Sequence, residues 1–486
     1  MTDRATLVRA AAAVAVVLAG ATFATPPAAS GSTSPPALAA RVLDISELPP
    51  NWHVDHSAPT ARGLDTSTCL AGLTSPAGRA PRHTTVTFVQ GASLPELTES
   101  LATGAQPSAL YATAVGALDR CRSLTFDAGT TAVRATIRGL GLARVGSAST
   151  AYRMTMRIAG FPLSGDLVLF RVRSFVGEIV YLDVGSPVAA TVTAFAREAA
   201  SKAAGAAVSP PAIVSIASAP VRTAHTASGA VGYREIGTGP PLVMVMGFAG
   251  TMETWDPRFV DVLAEHHEVV VFDNAGIGRT AAVRGRLSVD AMAEQTSALV
   301  RTLGLHRPAV LGWSMGSMIA QALAVLHRAQ VSRLVLCAAY PGTRTVEPSQ
   351  QAIAALTGSN AAQALADLFP PGSGTAGTQY EVSIGSYPKS RPAPAAVIRA
   401  QRSAVLGWWH GTDRAGRRTP SITAPTLVAD GSQDRLDAAA NDRRVASLIP
   451  GSQLHIYRGA GHAFLFEDAT TVAADVESFL AGRRRS

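Results

Sequence analysis

Six short apolar runs separated by helix-like stretches constrain the fold of this 486-residue chain more than any other feature. Apolar runs that alternate with helices are typical of a parallel sheet whose two faces are both covered by helices. We therefore predict an α/β fold for residues 225–486. The runs are 242–246, 269–273, 309–313, 333–338, 426–429 and 454–457.

The first half of the chain has a different pattern. Residues 94–121 contain helix-like spacing, and residues 152–158 alternate apolar with polar side chains, as a half-buried strand does. An apolar stripe at helical spacing over 188–199 indicates a closing helix. We predict a smaller α+β domain with an antiparallel sheet over residues 40–205, followed by a proline-containing linker over 206–224.

The first residues have the composition of an export signal. Arg4 and Arg9 precede an uncharged apolar run, 10–24, which is too short to span a bilayer comfortably and is followed by prolines and small residues. We predict a signal peptide and flexible lead-in over 1–39, and a secreted or cell-envelope protein. An uncleaved N-terminal anchor stays open, as do cleavage sites after Ala21, Ala24 and Ala39.

The three cysteines suit an exported protein if two of them pair. Cys69 and Cys121 lie in the same predicted domain, and we expect a disulfide between them. Cys337 lies in an apolar run and is expected to be a buried free thiol.

The net charge of +8 comes mostly from scattered arginines. No basic run with interleaved aromatics and no nucleic-acid motif is present, so we expect no nucleic-acid partner. A weak attraction to an anionic cell-envelope surface stays open. We see no metal-ligand spacing and expect no cofactor.

The segment from Gly312 to Gly316, with Ser314 at its centre, is a G-x-S-x-G motif between a predicted strand and a predicted helix. At such a turn the serine backbone is strained, and the flanking glycines relieve the crowding. The helix N-terminus also points toward a developing oxyanion. We predict that Ser314 is a nucleophile.

A serine nucleophile needs a base, and the base needs an orienting acid. Asp434 and His462 each follow a predicted strand, where ligands gather in open α/β sheets. Asp430 is the alternative acid. His455 is the alternative base, although it alternates with apolar neighbours inside a strand.

Residues 225–486 resemble the α/β-hydrolase superfamily, in its branch of cap-bearing esterases, lipases, haloperoxidase-like enzymes and peptidases. The resemblance implies that Ser314 attacks, that His462 acts as general base and then acid, and that Asp434 orients His462. It further implies an oxyanion hole from the backbone N–H groups of Phe248 and Met315, and a helical cap over about 341–424. The matching segments are 246–248, 273–279, 312–316, 431–434 and 461–462.

Two features depart from the family pattern or narrow it. The oxyanion loop reads Met246-Gly247 where His-Gly is usual, so the support of this loop differs. A serine at 314, rather than an aspartate, argues against epoxide hydrolase or haloalkane dehalogenase chemistry.

The first half of the chain resembles extracellular sensor-like domains and lipoproteins of actinobacteria. This resemblance implies no particular activity.

We therefore expect an exported serine hydrolase that cleaves an apolar carboxylic ester through an acyl-enzyme. Aromatic and sulfur side chains suggest an apolar pocket. An aminopeptidase of the same fold is the alternative enzyme, and it would need an acidic amine-binding cluster, for which the cap offers Glu347, Asp367 and Glu381. A non-catalytic binding module is the third hypothesis. The pocket candidates are Phe248, Trp313, Met315, Trp408 and Trp409. A pocket role is favoured for Phe248, whereas a plain packing role stays equally open for the tryptophans.

Overall fold

A computed structural model describes residues 36–56, 82–91, 94–128, 131–158, 161–210, 215–350, 352, 354 and 361–482. The chain divides into two compact units, residues 1–214 and 215–486. Most of the predicted signal segment and Cys69 lie outside the described residues. Among the helices that are described, none is both long and apolar enough to cross a membrane.

The first unit is built on an eight-stranded sheet in the order β1-β2-β3-β8-β7-β6-β5-β4. Every neighbouring pair is antiparallel, which confirms the predicted sheet type. The strands are β1 (Trp52–Val54), β2 (Arg82–Gln90), β3 (Glu96–Thr103), β4 (Ser123–Ala128), β5 (Thr131–Leu140), β6 (Ala148–Ile158), β7 (Phe161–Val172) and β8 (Phe175–Val184), and the helices are α1 (Pro36–Ala39), α2 (Pro107–Arg120) and α3 (Ala189–Ala203).

Burial in β6 follows the alternation seen in the sequence, whereas the segment 94–121 differs from the expectation. In β6 the apolar side chains from Tyr152 to Ile158 are buried, while Thr155 and Arg157 between them are exposed. Helix α3 packs Phe195 edge-on against Trp52, with ring centroids 5.5 Å apart. Helix-like spacing was expected over 94–121, but its first part forms the strand β3, because neighbours on both sides pair with it.

The second unit has a sheet in the order β16-β15-β14-β13-β11-β12-β10-β9. The strands β9 and β10 run antiparallel to their neighbours, and the strands from β11 to β16 are parallel to one another. The strands are β9 (Arg222–Thr226), β10 (Gly229–Ile236), β11 (Pro241–Val245), β12 (Glu268–Phe272), β13 (Ala309–Trp313), β14 (Leu334–Cys337), β15 (Thr426–Gly431) and β16 (Gln453–Tyr457).

Both faces of this sheet are covered, since alternate residues of β11 enter two different hydrophobic clusters. Such burial on both faces explains why its parallel strands appear in the sequence as continuous apolar runs. The helices are α4 (Pro257–Ala264), α5 (Val289–Thr302), α6 (Met315–Leu326), α7 (Ala361–Leu368), α8 (Ala376–Ile384), α9 (Ala395–Trp409), α10 (Ala439–Leu448), α11 (Phe464–Glu467) and α12 (Ala469–Leu480).

The helices α7, α8 and α9 belong to the long insertion between β14 and β15. The family resemblance implies a helical cap over about 341–424, and all three helices lie within that range. Cys337, the last residue of β14, is a buried free thiol, and burial raises its pKa well above the usual range. Cys121 is also buried.

Candidate active site

Ser314 lies at the sharp turn between β13 and α6. Its backbone has φ 56° and ψ −120°, a left-handed conformation that costs a non-glycine residue free energy. The two neighbouring glycines permit the turn. A Cβ atom on Gly312 would lie 2.2 Å from the carbonyl oxygen of Gly316, and one on Gly316 would lie 2.0 Å from that of Val245. Larger residues at these positions would therefore force the turn open.

Neighbouring backbone and side chains hold the serine in this strained conformation. The Ser314 N–H donates a hydrogen bond to the carbonyl of Cys337 in the adjacent strand, over 2.9 Å. The hydroxyl of Ser317 donates to the carbonyl of Ser314, over 2.6 Å. The strain is thus fixed from two sides, as is common where a side chain must be presented at a functional site.

His462 and Asp434 meet on the loops that follow β16 and β15. His462 Nδ1 lies 2.6 Å from Asp434 Oδ2, and the two side chains are 3% and 0% exposed. The other carboxylate oxygen, Oδ1, accepts the N–H groups of Leu436 (2.6 Å) and Asp437 (2.7 Å). Asp434 is consequently held in one orientation by its own loop, with Oδ2 directed at the imidazole ring.

The alternative acid and base occupy other positions. Asp430 is the penultimate residue of β15 and is fully buried. His455 lies within β16, and its ring packs edge-on against Tyr457 with centroids 4.2 Å apart. Of the two histidines, His462 is therefore the one that contacts Asp434.

The loop after β11 lies against the nucleophile turn, because β11 and β13 are neighbours in register. A Cβ atom on Gly247 would lie 3.3 Å from Ser314 Cβ. Phe248, Ser314 and Met315 line one cavity. Among the described residues, the backbone N–H groups of Phe248 and Met315 have no hydrogen-bond acceptor, so both are available to an oxyanion.

Two residues of the segment after β12 contact this loop and the short helix that follows it. Asn274 Nδ2 donates to the carbonyl of Met246, over 2.8 Å. The carboxylate of Asp273 accepts the N–H of Met252, over 2.8 Å, and burial raises the pKa of Asp273 to about 6. Both acceptor and donor come from the segment 273–279, whose sequence resembles the family but whose role as a loop support was not evident from the sequence.

The cavity beside Ser314 has a volume of about 540 Å³, part of it open to solvent. Its lining is mostly apolar, and Arg402 is the one charged residue in it. Trp313 and Trp408, for which both a pocket role and a packing role were open, are core residues. Trp313 packs on Phe466, and the Trp408 indole donates to the Tyr340 carbonyl over 3.1 Å. The lining residues are Phe248, Ser314, Met315, Met318, Tyr340, Pro348, Arg402, Val405, Leu406, Trp409 and Leu436.

The three acidic residues proposed for amine recognition do not converge on this cavity. Glu347 faces His410, with Oε1 3.0 Å from Nε2. Asp367 is buried on α7, and Glu381 is exposed on α8. None of the three is among the residues that line the cavity.

Asp430, Asp437 and Asp442 form a buried acidic cluster behind the Asp434 loop. Each brings one carboxylate oxygen to within 4.8 Å of the others, and this is the one group in the described part of the chain that could hold a metal ion. Burial, and then repulsion by neighbouring carboxylates, raises the pKa of Asp430 and Asp437 far above the usual range. Burial raises the pKa of Asp442 to about 8. The cluster therefore holds protons near neutral pH unless a cation balances its charge.

The family model described as the alpha/beta hydrolase fold matches residues 240–469. The sheet order, the strained serine turn and the covered parallel strands agree with that match. The second unit belongs to the α/β-hydrolase superfamily, and the predicted fold class is confirmed. The match does not extend to the first unit, whose resemblance to sensor-like domains stays a prediction.

Three relatives illustrate the activities named in this family. A Mycobacterium tuberculosis protein named as a candidate non-heme bromoperoxidase is 29% identical over 269 residues, covering 51% of this chain and 97% of its own. A non-heme haloperoxidase of Rhodococcus erythropolis is 25% identical, covering 51% and 94%. A poly(3-hydroxyalkanoate) depolymerase of Ectopseudomonas oleovorans is 27% identical, covering 50% and 86%. These similarities support hydrolase activity for the second unit.

Proposed function

We propose that the second unit is a serine hydrolase that cleaves carboxylic esters through an acyl-enzyme. The observation that carries the proposal is the 2.6 Å contact between His462 Nδ1 and Asp434 Oδ2, at the sheet edge where Ser314 is presented. With Nδ1 engaged by the carboxylate, Nε2 is the ring nitrogen that can accept a proton. This division of roles is the one that activates a serine hydroxyl.

Acylation follows from these positions. Ser314 Oγ attacks the ester carbonyl carbon while His462 Nε2 takes the hydroxyl proton. The carbonyl oxygen becomes an oxyanion that accepts hydrogen bonds from the N–H groups of Phe248 and Met315. The tetrahedral intermediate then collapses, the C–O bond to the alcohol breaks, and His462 returns the proton to the departing alkoxide.

Deacylation repeats the same steps with water. His462 removes a proton from a water molecule as its oxygen attacks the acyl carbon. The second tetrahedral intermediate collapses to release the carboxylic acid, and the proton passes from His462 to Ser314 Oγ. Asp434 stays ionised throughout and stabilises the imidazolium that forms in each half-reaction.

The cavity favours an ester over a peptide as the substrate. Its apolar lining suits an acyl or alkyl chain, and a poly(3-hydroxyalkanoate), the polymer named for one relative, is itself linked by ester bonds. An aminopeptidase would need carboxylates near Ser314 to bind the substrate ammonium group. Glu347, Asp367 and Glu381 are not among the residues that line the cavity, which disfavours that alternative.

The test is a panel of p-nitrophenyl esters of increasing acyl length, assayed beside aminoacyl p-nitroanilides with the purified full chain. The proposal expects turnover of esters with a pre-steady-state release of about one p-nitrophenol per protein where deacylation is slow. Turnover of the anilides alone would favour the aminopeptidase. Absence of turnover on both panels would favour a non-catalytic module.

A further inference from the structure

The oxyanion loop, residues 246–250, is not held by its own sequence. Ala249 has φ 57°, a left-handed conformation that an alanine adopts only when its surroundings enforce it. Gly247 fits closely beside Ser314, so the loop cannot shift without moving the Phe248 N–H relative to the nucleophile. A contact from outside the loop therefore has to hold Ala249 in this conformation.

The backbone N–H of Ala249 is bound by a residue of the insertion between β14 and β15. Gln401 lies on α9, and its Oε1 accepts a hydrogen bond from the Ala249 N–H over 2.8 Å. The residues are 152 positions apart in the chain. Gln401 is completely buried, so water does not compete for this bond.

Packing alone does not account for a glutamine at this position. Gln401 Nε2 is enclosed and has no hydrogen-bond partner among the described residues. A buried amide group without a partner is unfavourable, whereas a methionine of similar size would fill the same space without that cost. The gain that offsets this cost is the bond from Ala249.

We infer that Gln401 is a positioning residue that holds the oxyanion loop in its active conformation. By fixing Ala249, it fixes the adjacent Phe248 N–H where an oxyanion forms. The inference rests on the proposed function. It also connects substrate binding to catalysis, because four residues of the same helix, Arg402, Val405, Leu406 and Trp409, line the cavity.

The test compares Gln401→Met, which loses the acceptor, with Gln401→Glu, which keeps an acceptor oxygen at the same reach. Ser403→Ala, on the exposed side of the same helix, is the matched control. We expect Gln401→Met to lower kcat on a p-nitrophenyl ester roughly 10- to 100-fold with KM changed about twofold or less. The glutamate variant should retain most of kcat, and the control should equal wild type.

A second readout separates positioning from a merely structural role. An alkyl boronic acid forms a tetrahedral adduct on the serine and so reports the oxyanion hole directly. Its inhibition constant should rise in Gln401→Met by a factor similar to the loss in kcat, with KM unaffected. If Gln401→Met does not fold, Gln401→Ala takes its place, since alanine suits a helix interior.

The outcomes of the two proposals are distinguishable. Wild-type kcat and boronate inhibition in a folded Gln401→Met variant would overturn the inference while leaving the hydrolase proposal intact. Equal losses in Gln401→Met and Gln401→Glu would also overturn it, because the acceptor oxygen would then be irrelevant. A wild-type chain that neither hydrolyses esters nor binds the boronate would overturn the proposed function itself.

Discussion

The indole N–H of Trp313 donates a hydrogen bond to the backbone carbonyl of His462, over 2.9 Å. The two rings also lie against each other, with centroids 5.5 Å apart. The residue that precedes the nucleophile in the chain therefore anchors the loop that carries the base. Nucleophile and base are held to each other by a bond that involves neither reacting atom.

Replacing Trp313 by phenylalanine removes this bond and keeps an aromatic ring. One such hydrogen bond contributes about 1 kcal/mol, so we expect a comparable loss in the free energy of unfolding and a roughly five- to tenfold lower kcat. Trp408→Phe is the control, because it also deletes a buried indole bond, to the Tyr340 carbonyl, outside the Trp313–His462 pair. Melting curves measure the stability of each variant, and ester hydrolysis measures its kcat. A larger loss of kcat in the control would contradict the anchoring role of Trp313.

Asp434→Asn keeps the shape of the acid but removes the charge that stabilises the imidazolium. We expect kcat on p-nitrophenyl esters to fall on the order of 10³- to 10⁴-fold. Asp430→Asn should leave kcat within a few-fold, because His462 contacts Asp434. Steady-state assays of both variants at one pH decide between the two acids. An inactive Asp430→Asn beside an active Asp434→Asn would reverse the assignment.

The buried acidic cluster predicts a pH dependence of stability. The pKa of Asp442 is raised from 3.8 to about 8, so the folded state retains a proton that the unfolded chain releases. The stability that this protonated carboxyl contributes to the folded state is fully present below pH 3.8. It is lost as the pH rises toward and through 8. Asp442→Asn, which still offers an acceptor to the Ala339 N–H, should flatten this dependence and raise the free energy of unfolding at pH 8 by about 1 kcal/mol or more.

Denaturant unfolding at pH 5 and pH 8 measures the effect, with the exposed Glu265→Gln as the control for a surface carboxylate. A wild-type chain that is equally stable at both pH values would contradict the account. Repeating the pH 8 measurement with calcium chloride and then with a chelator shows whether a cation, rather than protons, balances the cluster.

Pairing of Cys69 with Cys121 is predicted for material exported from the cell. Peptide mapping under non-reducing conditions should find the two cysteines in one linked peptide. Cys337, which is buried and free, should become accessible to alkylation only after unfolding. Free thiols at 69 and 121 in exported material would contradict the pairing. Recovery of the tagged chain only from the cytoplasm would contradict the export prediction.

The local pattern of the sequence was enough to predict the framework of the second unit. The strands β11 to β15 are buried on both faces, so their composition alone marks them, and G-x-S-x-G between a strand and a helix identifies the turn at Ser314. The edge strand β16 is less buried, yet it still ends directly before the His462 loop. Periodicity was less useful over 94–121, where β3 takes its conformation from the strands on either side.

The contacts that hold the site together were not predictable in this way. Gln401 reaches Ala249 across 152 positions, and Trp313 reaches His462 across 149. Asp437, in the loop after β15, and Asp442, on α10, join Asp430 because the chain folds back and α10 packs on β15. Such contacts depend on where the fold brings side chains, and no spacing in the chain carries that information. The cavity lining illustrates this, since Trp409 lines it whereas its neighbour Trp408 is a core residue.

The central claim is that Ser314 is the nucleophile, and covalent labelling tests it most directly. Wild type and Ser314→Ala are each treated with a fluorophosphonate probe, and the modified peptide is identified by mass spectrometry. We predict stoichiometric labelling of wild type on the peptide that contains Ser314, and no labelling of the folded alanine variant. Equal labelling of the two proteins, or a label on another residue of the wild type, would contradict the account.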